Sequence, residues 1–290
     1  MSRRSVLPAV LVLAFVVSCD RAPERPVARL SVEPAEVVLD YPGSAALELV
    51  WWPSSPLGEV DGTLRVFVHL LDDDGEIVRT FDHDYPSDWV VGREAGHRLE
   101  VYQSALGEPL RAAEYTLTVG LYDGSGRRWA LATTGQEVAR REYRVATVRV
   151  SDEPASEGQT VFVGDWQPLE PGADRQILGR RWTAAPAAIE VDGATETREL
   201  VLSLAIPLAS PETRLELAEG EREPRLRVAS DCDASEHLLA GSGSHQVEVS
   251  VPPGAACRVS VDPRFRIVWP QGQVRSVSLD NLYWRTPTGG

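Results

Sequence analysis

The stretch Glu114-Tyr-Thr-Leu-Thr-Val-Gly-Leu-Tyr122 decides the fold. Tyr115, Leu117, Val119 and Leu121 alternate with Thr116, Thr118 and Gly120. A period of two sends alternate side chains to opposite faces, so this is a strand with one face on a core. Similar short runs flank it at residues 29–33, 46–51, 63–71, 76–81 and 142–150. They continue at 177–182, 188–191, 199–206, 214–217, 225–228, 246–251, 258–261 and 273–284. Tyr41-Pro42-Gly43, Asp74-Gly75 and Asp123-Gly124 supply turns between them. The 204–217 window comes nearest to a helical period, and Pro207 and Pro211 break it. Many short strands at this spacing predict an all-β chain of sandwiches.

The chain has 290 residues, which at roughly 100–200 residues per domain suggests two units. Ser151-Asp-Glu-Pro-Ala-Ser-Glu-Gly-Gln159 is polar and carries no apolar pattern. It reads as a linker over 151–160, between one sandwich at 27–150 and a second at 161–287. Each is long enough to bury roughly two-thirds of its unfolded surface.

The start is of a different kind. Arg3-Arg4 precedes an apolar run at residues 6–17 that ends in Val16-Val17-Ser18-Cys19. The run falls short of the ~20 residues of a spanning helix. Basic, then apolar, then small is the layout of a secretory signal over 1–18. Its ending resembles the bacterial lipobox, in which cleavage precedes a cysteine whose sulfur takes a diacylglycerol. The expectation is a palmitate-type lipid anchor on Cys19, a charged, proline-rich tether at 19–26, and a bacterial envelope location, inner or outer membrane unassigned. Several acyl chains hold stably where one does not.

The formal charge is −14, with 29 basic residues that are all arginine. Removal of 1–18 leaves 27 arginines against 43 acidic residues, or −16. An acidic chain is not built for nucleic acid, which needs basic density. Without lysine, neither Schiff-base nor P-loop chemistry is available.

Val66-Phe-Val-His-Leu-Leu-Asp72, Asp74-Gly75, Asp82-His-Asp-Tyr-Pro86, Trp89-Val-Val-Gly92 and Tyr115 to Asp123 with Gly126-Arg127-Arg128 form a pattern. Over residues 45–132 it resembles the Ig-like β-sandwich appended to bacterial membrane glycosyltransferases of the dolichyl-phosphate-mannose type. Gly164-Asp-Trp166, Arg181-Trp182 and Trp269-Pro270 resemble the jelly-roll domains that accompany such proteins. Arg275-Ser-Val-Ser-Leu279 stands where an Asp-x-Arg-x-Leu-Gly feature belongs. The resemblance implies an accessory domain outside the membrane and no catalysis, because no polytopic portion is present to carry a transferase.

Candidate chemistry is thin. Asp72-Asp-Asp-Gly-Glu76 has too few alternating acids for a calcium loop and reads as a hairpin turn. His69, Asp82, His83 and Asp84 are the best metal-like set, yet no His pair has ligand spacing, so structural roles are expected. No Gly-x-Ser-x-Gly elbow occurs, and Gly241-Ser-Gly-Ser-His245 reads as a loop. A carboxylate pair for glycoside hydrolysis stands in no distinctive motif. Cys232 and Cys257 share strand parity with apolar neighbours and are expected to form a disulfide in an exported protein. No cofactor, metal or catalytic residue is assigned.

Eight tryptophans are dispersed over both halves, with most expected in cores and one or two exposed. Trp182, Trp269 and Trp284, with Arg181, are the candidate ligand-binding residues, since an open indole stacks on a sugar and a guanidinium pairs with an acidic one. Arg180, Arg264 and Arg266 stand nearby in sequence and equally suit neutralisation of local acids. The expected function is binding in the envelope, of a glycan or of a protein in a glycan-related machine. A structural assembly subunit without glycan contact is the alternative and a glycan-active enzyme the third. Exposed aromatics favour a glycan, an apolar surface favours a protein, and a deep carboxylate pocket favours an enzyme.

Overall fold

A computed structural model of the chain describes residues 25–86, 88–151, 158–172 and 174–287. Cys19, the signal segment, most of the tether and the linker core at 152–157 lie outside the described residues. The chain is all-β, and among the described residues there is no helix.

The first half contains β1 (Ala28–Glu33), β2 (Glu36–Leu39), β3 (Gly43–Pro53), β4 (Arg65–Leu71), β5 (Ile77–Thr80) and β6 (His83–Asp84). It continues with β7 (Ala95–Gln103), β8 (Glu114–Tyr122), β9 (Arg128–Trp129), β10 (Leu131–Ala132), β11 (Glu137–Ala139) and β12 (Glu142–Val150). One layer is β10-β1-β3-β7, and the other is β11-β12-β8-β4-β5 with β2 running parallel to β12. That is an immunoglobulin-type pair of sheets. The deciding stretch is β8. Its Tyr115, Leu117, Val119 and Leu121 enter a core with Leu47, Leu49, Trp51, Val66, Val68 and Leu70.

The second half contains β13 (Thr160–Gly164), β14 (Glu170–Pro171), β15 (Gly179–Thr183), β16 (Ala187–Asp192), β17 (Arg198–Ile206), β18 (Arg214–Leu217) and β19 (Arg225–Ser230). Then come β20 (Glu236–Ala240), β21 (Gly243–Val251), β22 (Ala256–Pro263), β23 (Phe265–Val268), β24 (Val274–Arg275) and β25 (Val277–Arg285). Antiparallel layers β13-β16-β22-β19-β20 and β14-β15-β25-β17-β21 enclose a second core around Ile189, Leu202, Val228, Val249, Val259 and Leu282. Successive strands pass between these layers, as in a jelly roll.

The halves meet at a seam. β25 pairs parallel with β3 at Trp284 and Gly43, so one layer of each sandwich joins into a single nine-stranded sheet. Leu106, from the first half, is buried in the second core. Ala105 donates its N–H to Leu282 O at 2.7 Å. The Ser104 hydroxyl oxygen accepts from Leu282 N at 3.1 Å. Gly179 makes the close approach possible, because a Cβ there would lie 1.9 Å from Leu106 O. The halves are thus joined by backbone pairing and packing as well as by the stretch read as a linker at 151–160.

Candidate functional site: a groove between the sandwiches

Cys232 and Cys257 form a disulfide, with Cα atoms 5.1 Å apart. Asp231 is beside them, but bonded sulfurs are not free metal ligands. Trp284 is 1% exposed and belongs to the second core. Trp182 is 6% exposed and lies between the guanidiniums of Arg180 and Arg275, at 5.4 and 4.9 Å. Its indole donates to Glu170 Oε2 at 3.1 Å. Trp269 is half-buried against the same core. Arg181 donates to Gln167 O at 3.1 Å and lies over Phe162 at 4.6 Å. These four residues therefore make no open stacking platform, and the sugar-binding role expected of Trp182 and Trp284 is corrected by their burial. All eight tryptophans are buried or half-buried. Arg180 forks onto Asp280 at 2.6 and 2.9 Å, and Arg264 meets Asp262 at 3.3 Å, which is the neutralising role.

The histidine set divides. His69 Nδ1 donates to Glu142 Oε1 at 2.9 Å, and the Thr118 hydroxyl donates to the same oxygen at 2.7 Å. Burial would raise the Glu142 pKa, but the bonds from His69 and Thr118 and the charges of His69 and Arg128 outweigh it and hold the carboxyl below its usual range. His69 Nε2 is 3.9 Å from Asp82 Oδ1, beyond hydrogen-bond reach. His83 instead faces His97, with Nε2 atoms 2.8 Å apart. Asp84 pairs with Arg65 at 3.3 Å. The four do not converge on one point. In the Asp72 turn, Asp72 Oδ1 accepts from the N–H groups of Asp74 and Glu76 at 3.1 and 2.8 Å, which is hairpin chemistry.

An apolar concavity lies at the seam. A groove of about 630 Å³ is lined by Leu106, Gly107 and Pro109 from the segment after β7, and by Leu169, Pro171 and Leu178 around β14 and β15. Its floor is tight, since a Cβ on Gly107 would stand 2.6 Å from Leu178 Cδ1. Leu169 remains 47% exposed beside it. Arg79, Glu108 and Glu170 are the charged groups on its walls. Arg79 gives its two terminal nitrogens to Val78 O at 2.8 Å and Glu108 O at 2.7 Å, while its buried Nε has no partner. Burial lowers the Arg79 pKa against the opposing charges of Tyr115 and Glu108. Glu170 is held by Trp182 and by Arg275 at 2.5 Å. The lining is mostly apolar, so the arrangement suits contact with an apolar group. Nothing local in sequence marks it, because its residues come from segments about seventy apart that only the seam brings together.

No family model matches the chain, and no curated protein matches it. Among solved structures, it is similar over 93% of its length to 54% of the mosquito-larvicidal Cry4Aa toxin of Bacillus thuringiensis, with 9% identity and a TM-score of 0.30. It is similar over 91% of its length to 14% of E. coli alpha-2-macroglobulin, with 11% identity and a TM-score of 0.23. Likeness at these scores says nothing of function.

Proposed function

We propose that this chain is a non-catalytic binding module of the bacterial envelope, anchored through Cys19, which seats an extended segment of a partner protein in the groove between its sandwiches. The observation that carries the reading is the groove itself: an apolar floor built by both halves, with Arg79, Glu108 and Glu170 on its walls. Sites between domains with a few placed polar groups are common ligand positions. An apolar side chain fits against Leu178 and Leu169. The closed indoles favour a protein segment over a sugar, which needs an open aromatic face. The resemblance to glycosyltransferase accessory domains and the signal segment support a place outside the membrane.

A photo-crosslinking residue at Leu169 in intact cells tests this reading. The expected result is one stoichiometric partner band that disappears with Leu178→Glu and is absent with the same probe at exposed Leu208. A band unaffected by Leu178→Glu overturns the groove. Saturable binding to a neutral or acidic polysaccharide, lost with Trp269→Ala, moves the function to the glycan arm. Mass spectrometry of the mature N-terminus reads the anchor separately: a diacylglyceryl mass on Cys19 is expected, and an unmodified terminus elsewhere overturns it.

A further inference from the structure

A second concavity, remote from the groove in sequence, has the opposite chemistry. It measures about 390 Å³ and is lined by Ser125, Gly126, Arg127, Arg128 and Arg140. Two hairpin turns build it, one between β8 and β9 and one between β11 and β12. Three guanidiniums gathered in a chain of net charge −14 concentrate positive potential against the overall field.

The nearby acids are already engaged. Asp123 Oδ1 accepts from Ser125 N, Ser125 Oγ and Arg127 N at 3.0, 2.6 and 3.1 Å, and Asp123 Oδ2 accepts from Asp61 N at 3.2 Å. The Asp61 carboxylate stands on the Gly124 side of that turn and is not part of the lining. Glu142 takes Arg128 at 3.6 Å, while the Arg128 guanidinium lies 4.3 Å over Phe67 and donates to Arg140 O at 3.2 Å. Arg127 lies 5.0 Å over Trp129. Among the described residues, neither Arg127 nor Arg140 has a carboxylate partner for its side chain. Two exposed guanidiniums therefore keep their donor edges, beside a third fixed by stacking. Planar forks of this kind match the oxygens of a phosphate group.

We propose that the Arg127–Arg128–Arg140 pocket is a binding site for a phosphate group, and that anionic lipid headgroups are its source. The source follows from the strand order. β1 runs parallel to β10, with Ala28 opposite Leu131, and Val27 N donates to Ala130 O at 2.9 Å. The chain arriving from the tether and the chain leaving the pocket through Arg128-Trp129-Ala130 thus run side by side in one direction. The pocket is at the end of the sandwich where the tether enters. Seven residues, 20–26, span at most about 24 Å when extended, so a lipid on Cys19 holds that end close to the bilayer. This lipid source rests on the anchor reading, whereas the phosphate site does not.

The test uses the chain from Asp20 onward, which keeps every described strand and carries no lipid. Titration with inorganic phosphate should show binding that falls about tenfold or more in an Arg127→Gln/Arg140→Gln variant with an unchanged melting temperature. The Arg127→Lys/Arg140→Lys variant keeps the charge and should recover only part of it, because an ammonium lacks the fork. Cosedimentation should occur with phosphatidylcholine vesicles containing phosphatidylglycerol and not with phosphatidylcholine alone, and raised salt should weaken it. Phosphate binding without vesicle binding keeps the site and overturns the lipid source. No phosphate binding, or binding indifferent to both double variants, overturns the site. Since no acyl chain is present, none of these results depends on Cys19.

Discussion

The rings of Tyr102 and Tyr283 stack with centroids 4.4 Å apart and planes 6° from parallel, one from each half of the chain. Asn281 donates to the Tyr102 hydroxyl at 3.2 Å, and Tyr283 donates to Glu100 at 3.0 Å. Arg285 meets Glu100 at 3.4 Å, Glu199 at 2.6 Å and Glu248 at 2.5 Å. Burial, then the charges of Glu100, Asp174 and Asp280, pushes the Tyr102 phenol up to about 12. Ring contact, two hydrogen bonds and the Arg285–Glu100 ion pair thus bind the halves across one seam.

The two sandwiches should therefore unfold together. Calorimetry of the intact chain should give one transition, and Tyr283→Ala should cost about 3 kcal/mol through lost ring burial. Two resolved transitions, with only one moved by the substitution, would contradict this.

The disulfide encloses a 25-residue separation between Cys232 and Cys257. Closing a loop of that length removes denatured-state entropy worth on the order of 3 kcal/mol. Cys232→Ala/Cys257→Ala, or reduction before denaturation, should lower the urea midpoint by a corresponding amount. Free-thiol labelling of the denatured, unreduced exported chain should find neither cysteine.

Long apolar alternation made β3, β4, β8, β12 and β17 legible in the sequence. β7 was not, because Gly96, His97, Arg98 and Glu100 dilute its pattern, and its register comes from full pairing with β3. β25 shows a second limit. Leu279 and Leu282 both enter the second core although three residues apart, because an irregularity opposite Ser203–Leu204 shifts the parity. Its buried Ser278, Asp280, Asn281 and Tyr283 contribute polar groups to the strand that forms the seam. The disulfide was readable because Cys232 and Cys257 share strand parity with apolar neighbours in a chain expected to be exported. The groove and the arginine pocket were not, since each depends on segments that pairing alone brings together.

Gly120 is opposite Phe67 on β4, and a Cβ there would fall 2.0 Å from Phe67 Cζ and 2.5 Å from Arg141 O. The ring can swing away, but the backbone carbonyl cannot. Gly120→Ala should destabilise by about 2–4 kcal/mol. Adding Phe67→Ala should not restore stability, as measured by urea unfolding, because the clash with Arg141 O persists.

The His83–His97 pair should make stability depend on pH. His83 Nδ1 is 2.9 Å from Phe81 O, and a carbonyl only accepts, so that nitrogen carries a proton. In neutral His83 the other nitrogen is then an acceptor, and His97 Nε2 donates to it across 2.8 Å. His97 Nδ1 is left buried without a partner. Burial, then the neighbouring His83 charge, depresses the His97 pKa from 6.5 to about 4. The unfolded chain takes up this proton near pH 6.5, and the folded chain does so only near 4. The stability contributed by neutral His97 is thus present above pH 6.5 and is lost as pH falls from there toward 4. Carboxylates held below their usual range, such as Glu142 and Asp233, add their own loss only at lower pH. Between pH 7 and 5 the wild-type melting temperature should therefore fall, and His97→Gln should flatten that slope. An equal slope in the variant would remove His97 as its cause.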